Sequence, residues 1–387
     1  MQEITIPRIS PLSIPMVMKA HWNAKEPFHL VGEPSTVKSA LIKQTANLIS
    51  REEDENRTFI EWSKISFKEK EEVYANPENY FIFEDLRATE TDIGELRLQN
   101  MSNEQDYITY KYSLIFRTLS DKNAKGVLFF DEMNLALNMI KAQFYKVYND
   151  RSIGDIPLSD NVLICSAGNE SSQVRDVVQD SVALTTRRGN YFVSPLTAKE
   201  FVNYALEVGM HQSVIGYLSF APEDVHKLKY DTSDPIGQAC CRTWEKMSNI
   251  LNANPDLSMT DLSIISRGLL GPATSTKYIA YTKLENAIKI EDVIRRPEIM
   301  KEIDDDKLQI VYAVASGLLS RYKQGEVNLF GTMCKVSLHI KEEIAVYMMR
   351  MLKSTTGENK FRKLALEGTY SKDFDECYKR YGDLLSE

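Results

Sequence analysis

Hydrophobic and polar segments alternate along the first half of the chain in the manner of a parallel β-sheet connected by helices. Five short apolar runs predict strands, and two of them, 126–130 and 162–167, are apolar enough to favour central strands buried on both faces. The five runs are Phe28–Val31, Tyr80–Phe83, Gly126–Phe130, Val162–Ala167 and Asn190–Val193. We therefore expect an α/β sheet whose strands are joined by right-handed crossovers.

The segments between these runs are interpreted from the same patterns. Residues 40–49 form an amphipathic stretch after a Gly-Pro turn, which predicts a helix directly behind the first strand. Further helices are predicted at about 104–119 and at 135–148. The strongly charged stretch 51–72 indicates a surface connection, and 151–157 indicates a hairpin.

The pattern changes at Thr197, where a capping box formed with Glu200 begins an almost entirely helical region. We predict three parts: an α/β domain at 1–196, a helical domain at 197–325 and a helical C-terminal extension at 326–387. The extension carries no motif that indicates chemistry.

Composition narrows the class of protein. The 387 residues include 47 Lys and Arg against 55 Asp and Glu, and this net charge of −8 argues against general nucleic-acid binding, although a local basic patch is compatible with it. No apolar run approaches the roughly 18 residues of a membrane helix, and residues 1–10 lack the features of a secretion signal. Five cysteines without C-x-x-C spacing indicate reduced, buried thiols, and five scattered histidines argue against a histidine metal site. We expect a cytoplasmic protein without a membrane partner.

The segment Gly32–Ser39 fits the phosphate-binding pattern G-x-x-x-x-G-K-[ST], except that Val37 stands where the second glycine belongs. In such a loop, backbone N–H groups wrap phosphate oxygens, a lysine reaches the outer phosphates and a hydroxyl binds Mg²⁺; Lys38 and Ser39 would fill the last two roles. A positive φ at Val37 would cost roughly 1–2 kcal/mol or more. Either the loop is right-handed there, or nucleotide binding is weakened. The predicted nucleotide-binding residues are Gly32, Glu33, Pro34, Ser35, Thr36, Val37, Lys38, Ser39 and Ala40.

Polar residues follow the third and fourth predicted strands. Asp131 and Glu132 come directly after the third strand, and an open α/β sheet binds ligands at the carboxyl ends of its strands. Asp131 would hold Mg²⁺ together with Ser39, and Glu132 would polarise the attacking water. Asn169, after the fourth strand, would orient that water against the γ-phosphate. Each residue alone also fits an ordinary turn, but the order of phosphate loop, acidic strand and polar strand is that of adjacent strands in one sheet, which favours a phosphate site with Mg²⁺.

These motifs resemble the Walker A, Walker B and sensor 1 motifs of the MoxR-like AAA+ ATPases, a group related to dynein and common in bacteria and phages. Ser35 and Val37 depart from the family, whose loop usually has glycine and then glycine or alanine at these positions. The resemblance covers about residues 8–325. The similar stretches are Gly32–Ser39, Leu128–Asn134, Ala167–Asn169, Asp85–Gly94, Gln143–Gly154 and Arg242–Glu245.

The resemblance implies a P-loop AAA+ fold, with a five-stranded parallel sheet flanked by helices and followed by an all-helical lid domain. It also implies a homo-oligomeric ring, usually a hexamer, in which neighbouring subunits clamp each nucleotide. Arg187 and Arg188 match the position of the trans-acting arginine finger, and the sequence does not choose between them. Arg242 matches the sensor 2 arginine of the lid. The implied function is Mg²⁺-dependent ATP hydrolysis that remodels or assembles a protein partner, for which the family suggests a protein with a von Willebrand factor A domain.

Two other interpretations stay open. Ser35 and Val37 also fit a catalytically weak or nucleotide-free structural ring or adaptor, although an inactive P-loop usually loses Lys38 or Glu132 as well. A GTPase-like switch is the second, but no N-K-x-D sequence for reading guanine occurs in the chain.

Overall fold

The computed structural model describes residues 7–90, 97–100, 109–136, 138–170, 182–230, 236–287, 290–303, 308–323, 325–366 and 371–386. The chain divides into two compact units, Met1–Pro195 and Leu196–Glu387. Each unit is described by itself.

The first unit contains the β-structure. Numbered along the chain, its strands are β1 (Arg8–Ile9), β2 (Phe28–Gly32), β3 (Thr58–Glu61), β4 (Tyr80–Arg87), β5 (Arg97–Asn100), β6 (Thr109–Tyr112), β7 (Lys125–Asp131), β8 (Ser152–Ile153), β9 (Ile156–Pro157), β10 (Val162–Gly168) and β11 (Gly189–Val193). Seven of them form a parallel sheet in the order β1-β11-β2-β10-β7-β4-β3. The pairs β5-β6 and β8-β9 are antiparallel.

The predicted parallel sheet is confirmed, but its strand count is seven in the described residues, and not five. All five predicted strands are present. The two further strands, β1 and β3, form the edges of the sheet. The stretch 51–72 is therefore more than a surface connection, since it contains β3. Edge strands pair on one side only and stay partly exposed, so their sequences carry no buried apolar run.

The helices of the first unit cover both faces of this sheet. They are α1 (Ile14–Ala24), α2 (Lys38–Glu53), α3 (Phe67–Ala75), α4 (Leu114–Leu119), α5 (Asn138–Asp150) and α6 (Val182–Thr185). Successive residues of β7 face opposite layers: Leu128 and Phe130 pack in one apolar core, and Val127 and Phe129 in the other. The first core lies under α4 and α5, and the second under α1 and α2.

The helix predicted at 104–119 is wrong over part of its length. Thr109–Tyr112 is strand β6, and the helix occupies only Leu114–Leu119; residues 101–108 lie outside the described part. Tyrosine and threonine favour a pleated, half-buried strand, and this preference prevails before Ser113. The hairpin predicted at 151–157 is confirmed by β8 and β9.

The described residues of the second unit contain helices and connecting loops, and no strand. Its helices are α7 (Ala198–Glu207), α8 (Gln212–Phe220), α9 (Cys241–Ala253), α10 (Met259–Leu270), α11 (Pro272–Ala287), α12 (Ile290–Arg295), α13 (Leu308–Lys323), α14 (Leu329–Ser337), α15 (Glu342–Thr356), α16 (Glu358–Leu366) and α17 (Ser371–Ser386). The predicted capping box is confirmed: Thr197 Oγ1 accepts from the Glu200 amide at 3.3 Å, and Glu200 Oε2 accepts from the Thr197 amide at 2.8 Å.

The helices before and after residue 325 pack together, since α15 contacts both α7 and α13. The division of the helical region at 325 stays a prediction. Across the described residues, no helix has both the length and the apolar character needed to cross a membrane.

Candidate functional site

The phosphate-binding loop predicted from the sequence connects β2 to α2. Gly32 lies so close to β11 that a Cβ built on it would stand 2.7 Å from the carbonyl oxygen of Val193, so that a larger residue does not fit. Thr36 Oγ1 donates to the carbonyl oxygen of Glu33 at 2.8 Å and closes the loop on itself. Val37 is the N-cap of α2 and has no polar side chain, so the first amides of the helix stay open to an anion.

The backbone is left-handed at the two positions where the sequence departs from the MoxR-like pattern. Val37 has a φ of 54° and Ser35 a φ of 63°. The first of the two sequence alternatives, a right-handed loop at Val37, is therefore wrong. The loop has the shape that glycine would adopt without cost, and it is built from residues for which that shape is strained.

Lys38 is held inside its own loop. The residue is only 8% exposed. Its Nζ donates hydrogen bonds to Gly32 O at 3.0 Å, to Glu33 O at 2.9 Å and to Thr36 Oγ1 at 2.9 Å. These three acceptors are neutral oxygens. An ammonium so placed is available to phosphate oxygens, which form stronger, charge-assisted hydrogen bonds.

Ser39 and Asp131 meet at the carboxyl edge of the sheet. Ser39 Oγ, in the first turn of α2, donates to Asp131 Oδ2, at the end of β7, at 2.6 Å. The described residues contain no group of three or more His, Cys, Asp or Glu side chains that could hold a metal ion. Mg²⁺ commonly takes one or two protein carboxylates and completes its shell with water and phosphate, so this oxygen pair fits Mg²⁺ bound together with a nucleotide.

Glu132 follows Asp131 in a left-handed conformation, with a φ of 55°. Its Oε2 accepts from Thr89 Oγ1 at 2.9 Å, and its amide donates to Asp131 Oδ1 at 2.9 Å. Sequence reasoning gave Thr89 no role. The available signal was its place just beyond β4, since β4 is the parallel neighbour of β7 and the carboxyl ends of neighbouring strands lie together.

The backbone of Asn169 is clamped by Asn134, a second residue to which sequence reasoning gave no role. Asn134 Nδ2 donates to Asn169 O at 2.7 Å, and Asn134 Oδ1 accepts from the Asn169 amide at 2.9 Å. A Cβ on Gly168 would stand 2.6 Å from Asn134 Oδ1, so glycine is needed there. The clamp fixes the direction in which the Asn169 side chain leaves the end of β10.

Two further acids lie on β4 beside this edge. Burial, with a smaller contribution from Asp131, raises the pKa of Asp85 to about 6. Burial raises the pKa of Glu84 to about 8. Asp85 adds to the carboxylates near Asp131 and Glu132, an environment that favours a cation.

The two candidate finger arginines lie at the opposite edge of the sheet. Both precede Gly189, which pairs with Phe28 at the amino end of β2. Arg187 is half-buried; its Nε donates to Asn149 Oδ1 at 3.0 Å. Arg188 is only 7% exposed, and its guanidinium lies 5.3 Å from the centre of the Tyr148 ring. Neither arginine is brought to the phosphate loop of its own chain.

The remaining predicted residues are placed as follows. Glu33 and Pro34 lie in the loop, and Ala40 is exposed in the first turn of α2. Arg242 belongs to the second unit, where it is exposed in the first turn of α9. The structure thus brings together Lys38, Ser39, Asp131, Glu132 and Asn169 along the carboxyl ends of β2, β7 and β10.

No family model and no curated protein matches this chain. Similar solved structures include PCH-2 from C. elegans, with 15% identity, a TM-score of 0.30 and coverage of 79% of this chain and 66% of that chain. A RuvB mutant from Thermotoga maritima has 14% identity, a TM-score of 0.25 and coverage of 72% and 62%. Cdc6p from Pyrobaculum aerophilum has 11% identity, a TM-score of 0.37 and coverage of 97% of both chains. The chain spans just under two thirds of the length of the first two. At these scores the likeness carries no conclusion on activity.

Proposed function

We propose that this protein is an ATP hydrolase of the MoxR-like AAA+ type. The observation that carries the proposal is the hydrogen bond of 2.6 Å between Ser39 and Asp131 at the start of α2. It joins a hydroxyl in the first turn of α2 to a carboxylate at the end of β7. The buried ammonium of Lys38 precedes Ser39 in the chain, and the carboxylate of Glu132 follows Asp131. Phosphoryl transfer requires these groups in this neighbourhood.

Each side chain has a defined task in this proposal. The loop amides and Lys38 bind the phosphates. The phosphate oxygens replace Gly32 O and Glu33 O as acceptors of the hydrogen bonds from Lys38 Nζ. Ser39 and Asp131 would hold Mg²⁺, which neutralises charge on the phosphates when it is bound. Glu132 accepts a hydrogen bond from the attacking water, which competes with the hydroxyl of Thr89 for this carboxylate. Asn169 orients the same water.

The assembly is part of the proposal. We infer a homo-oligomeric ring, a hexamer by resemblance, located in the cytoplasm and acting on a protein substrate, with a von Willebrand factor A-domain protein as the suggested partner. Arg187 is the better candidate for the finger that reaches the neighbouring subunit, because it is half-exposed whereas Arg188 is buried. Arg242, exposed on α9, would serve the nucleotide of its own chain.

The test is ATP binding and turnover of two variants. Lys38→Ala should lose ATP binding, because it removes the ammonium from the phosphates. Glu132→Gln should bind ATP normally and lose turnover, because an amide keeps the shape of the side chain but not its negative charge. Lys43→Ala, one turn later on α2, and Glu90→Gln, beyond β4, are matched controls that should hydrolyse ATP at the wild-type rate. Hydrolysis by Glu132→Gln at that rate would remove Glu132 from its role.

The strained loop favours a second candidate, a nucleotide-binding structural ring or adaptor with weak turnover. Ser35 and Val37 occupy left-handed conformations without glycine. In that case the wild-type protein binds ATP but hydrolyses it only weakly, and Glu132→Gln changes neither ATP binding nor turnover measurably. Purifying Glu132→Gln in ATP and identifying the proteins that accompany it would name the substrate in either case.

A further inference from the structure

Three polar residues lie side by side on three adjacent strands of the sheet, a few residues before the carboxyl ends that carry the proposed site. Ser166 on β10, His29 on β2 and Asn190 on β11 are partners in the parallel register. We call these three residues the polar row. Ser166 and His29 are buried, and a hydrogen bond of 2.7 Å joins Ser166 Oγ to His29 Nδ1. The strands that carry these two residues end in the phosphate loop and in Asn169.

Tyr148 and Arg188 cover this row. The hydroxyl of Tyr148, on α5, donates to Ser166 Oγ at 2.6 Å, which leaves the serine hydroxyl to donate onward to His29. The guanidinium of Arg188 lies over the Tyr148 ring, and its Nε donates to Asn190 Oδ1 at 3.2 Å. A continuous chain of contacts therefore runs from Arg188 through Tyr148 to Ser166 on β10 and His29 on β2.

Burying a guanidinium is costly unless its contacts compensate. The location also has an electrostatic effect. Burial, and then the charge of Arg188, hold the pKa of His29 well below its usual value, so that the imidazole stays neutral and the cation remains on Arg188.

The last turns of α5 hold both arginines. Tyr145, Tyr148 and Asn149 share one face of this helix, at i, i+3 and i+4. Arg187 lies over the Tyr145 ring, at 5.8 Å, and bonds Asn149. Arg188 lies over Tyr148. Arg187, which is half-buried, thus lies next to a buried Arg188 whose contacts fix this turn.

We propose that Arg188 is a positioning residue, which ties the turn that carries Arg187 to β2 and β10 through Tyr148 and the polar row. The proposal rests on the proposed function, because it assigns Arg187 to the neighbour's nucleotide. In this proposal Arg188 fixes the direction in which the Arg187 side chain points, and Arg188 does not itself contact the neighbour's nucleotide.

The experiment uses Tyr148→Phe, which removes one hydroxyl and no charge. We expect unchanged ATP affinity and unchanged KM, with kcat reduced about fivefold, the rate equivalent of one net hydrogen bond. Arg188→Lys should reduce kcat about tenfold or more, since an ammonium does not reproduce the planar contact with Tyr148. Tyr191→Phe is the matched control, because its hydroxyl bonds His21 Nε2 at 2.8 Å on the other face of β11. It should keep the wild-type kcat.

The double variant supplies a second readout. Because Arg188 acts through Tyr148, Tyr148→Phe should add less than twofold to the effect of Arg188→Lys. A wild-type kcat in Tyr148→Phe together with a nearly complete loss in Arg188→Lys would show that Arg188 is itself the finger, and would overturn the proposal. A higher KM with unchanged kcat would overturn it as well. If Arg188→Lys does not fold, as seen by its thermal unfolding, Ser166→Ala replaces it. Absence of hydrolysis in the wild-type protein would instead contradict the proposed function.

Discussion

Val37 places a β-branched side chain in the left-handed region, and Ser35 does the same with a smaller one. Such residues cost roughly 1–2 kcal/mol each. The folded protein bears this strain in the loop between β2 and α2.

Replacing Val37 by glycine should therefore raise the free energy of unfolding by about 1 kcal/mol, as measured in urea. It should alter ATP affinity more than turnover, because it changes the phosphate cradle and no charged group. Ala40→Gly is the control: Ala40 is exposed in the first turn of α2, where glycine should destabilise by up to about 1 kcal/mol. A large loss of turnover at saturating ATP in Val37→Gly would contradict this account of the loop.

Glu84 leads to a prediction about pH. It is only 6% exposed on β4, and burial raises its pKa to about 8, against about 4.3 in the unfolded chain. The folded state therefore holds a proton that the unfolded state has released, so this group makes stability fall as the pH rises from about 4.3 to 8.

Glu84→Gln imitates the protonated carboxyl and should remove that fall. Its urea midpoint should exceed that of the wild-type protein at pH 8 and equal it at pH 4. Glu55→Gln, on the exposed turn after α2, should follow the wild-type curve throughout. Parallel curves for Glu84→Gln and the wild-type protein would mean that Glu84 is ionised in the folded state.

Part of the site follows from the sequence because its residues stand at the ends of apolar strands. Ser39 and Asp131 were expected to share one ion, and they are in hydrogen-bond contact. The roles of Glu132 and Asn169 stay predictions. Thr89 and Asn134 were missed, because their contacts depend on which strands are neighbours in space, and spacing along the chain does not contain that information.

At the level of elements, burial decides what the sequence reveals. The central strands β2, β4, β7 and β10 were predicted because packing on both faces requires apolar runs. The fifth, β11, is only partly buried and was predicted from the shorter run Asn190–Val193. The edges β1 and β3 were missed, since they are short and partly exposed. The helix predicted over 104–119 failed at β6, where a pairing with β5 outweighed the spacing of apolar residues.

The capping box of α7 supports a prediction of its own. Thr197→Ala leaves the Glu200 amide without its side-chain acceptor and should lower the free energy of unfolding by about 1 kcal/mol. Amide hydrogen exchange should quicken at residues 198–201. Ser66→Ala removes the equivalent box of α3 and should leave exchange at 198–201 unchanged. Equal exchange in all three proteins would show that the box does not hold α7.

At the level of the whole molecule, the position of Arg187 predicts that catalysis needs two subunits. It lies at the amino edge of the sheet, away from the phosphate loop of its own chain. Under the proposed function it would therefore complete a site only across an interface between subunits. An arginine supplied in trans contributes about 10³–10⁵ in rate, so Arg187→Ala should be nearly inactive.

Mixing inactive Arg187→Ala with inactive Lys38→Ala subunits should restore ATP hydrolysis, because some interfaces then join an intact loop to an intact finger. Each variant mixed with itself is the control. No recovery in mixtures that exchange subunits, or full activity of Arg187→Ala alone, would leave Arg188 as the next candidate.

All five cysteines lie in the described residues as buried free thiols, which confirms the expectation from their spacing. Burial raises the pKa of the Cys241 thiol to about 12, and it also raises those of Cys165, Cys334 and Cys377. Maleimide dyes react with accessible thiolate, so the natural protein should label slowly. A single cysteine introduced at an exposed position would accept a fluorophore without a cysteine-free background, and energy transfer between donor- and acceptor-labelled chains would report subunit exchange directly.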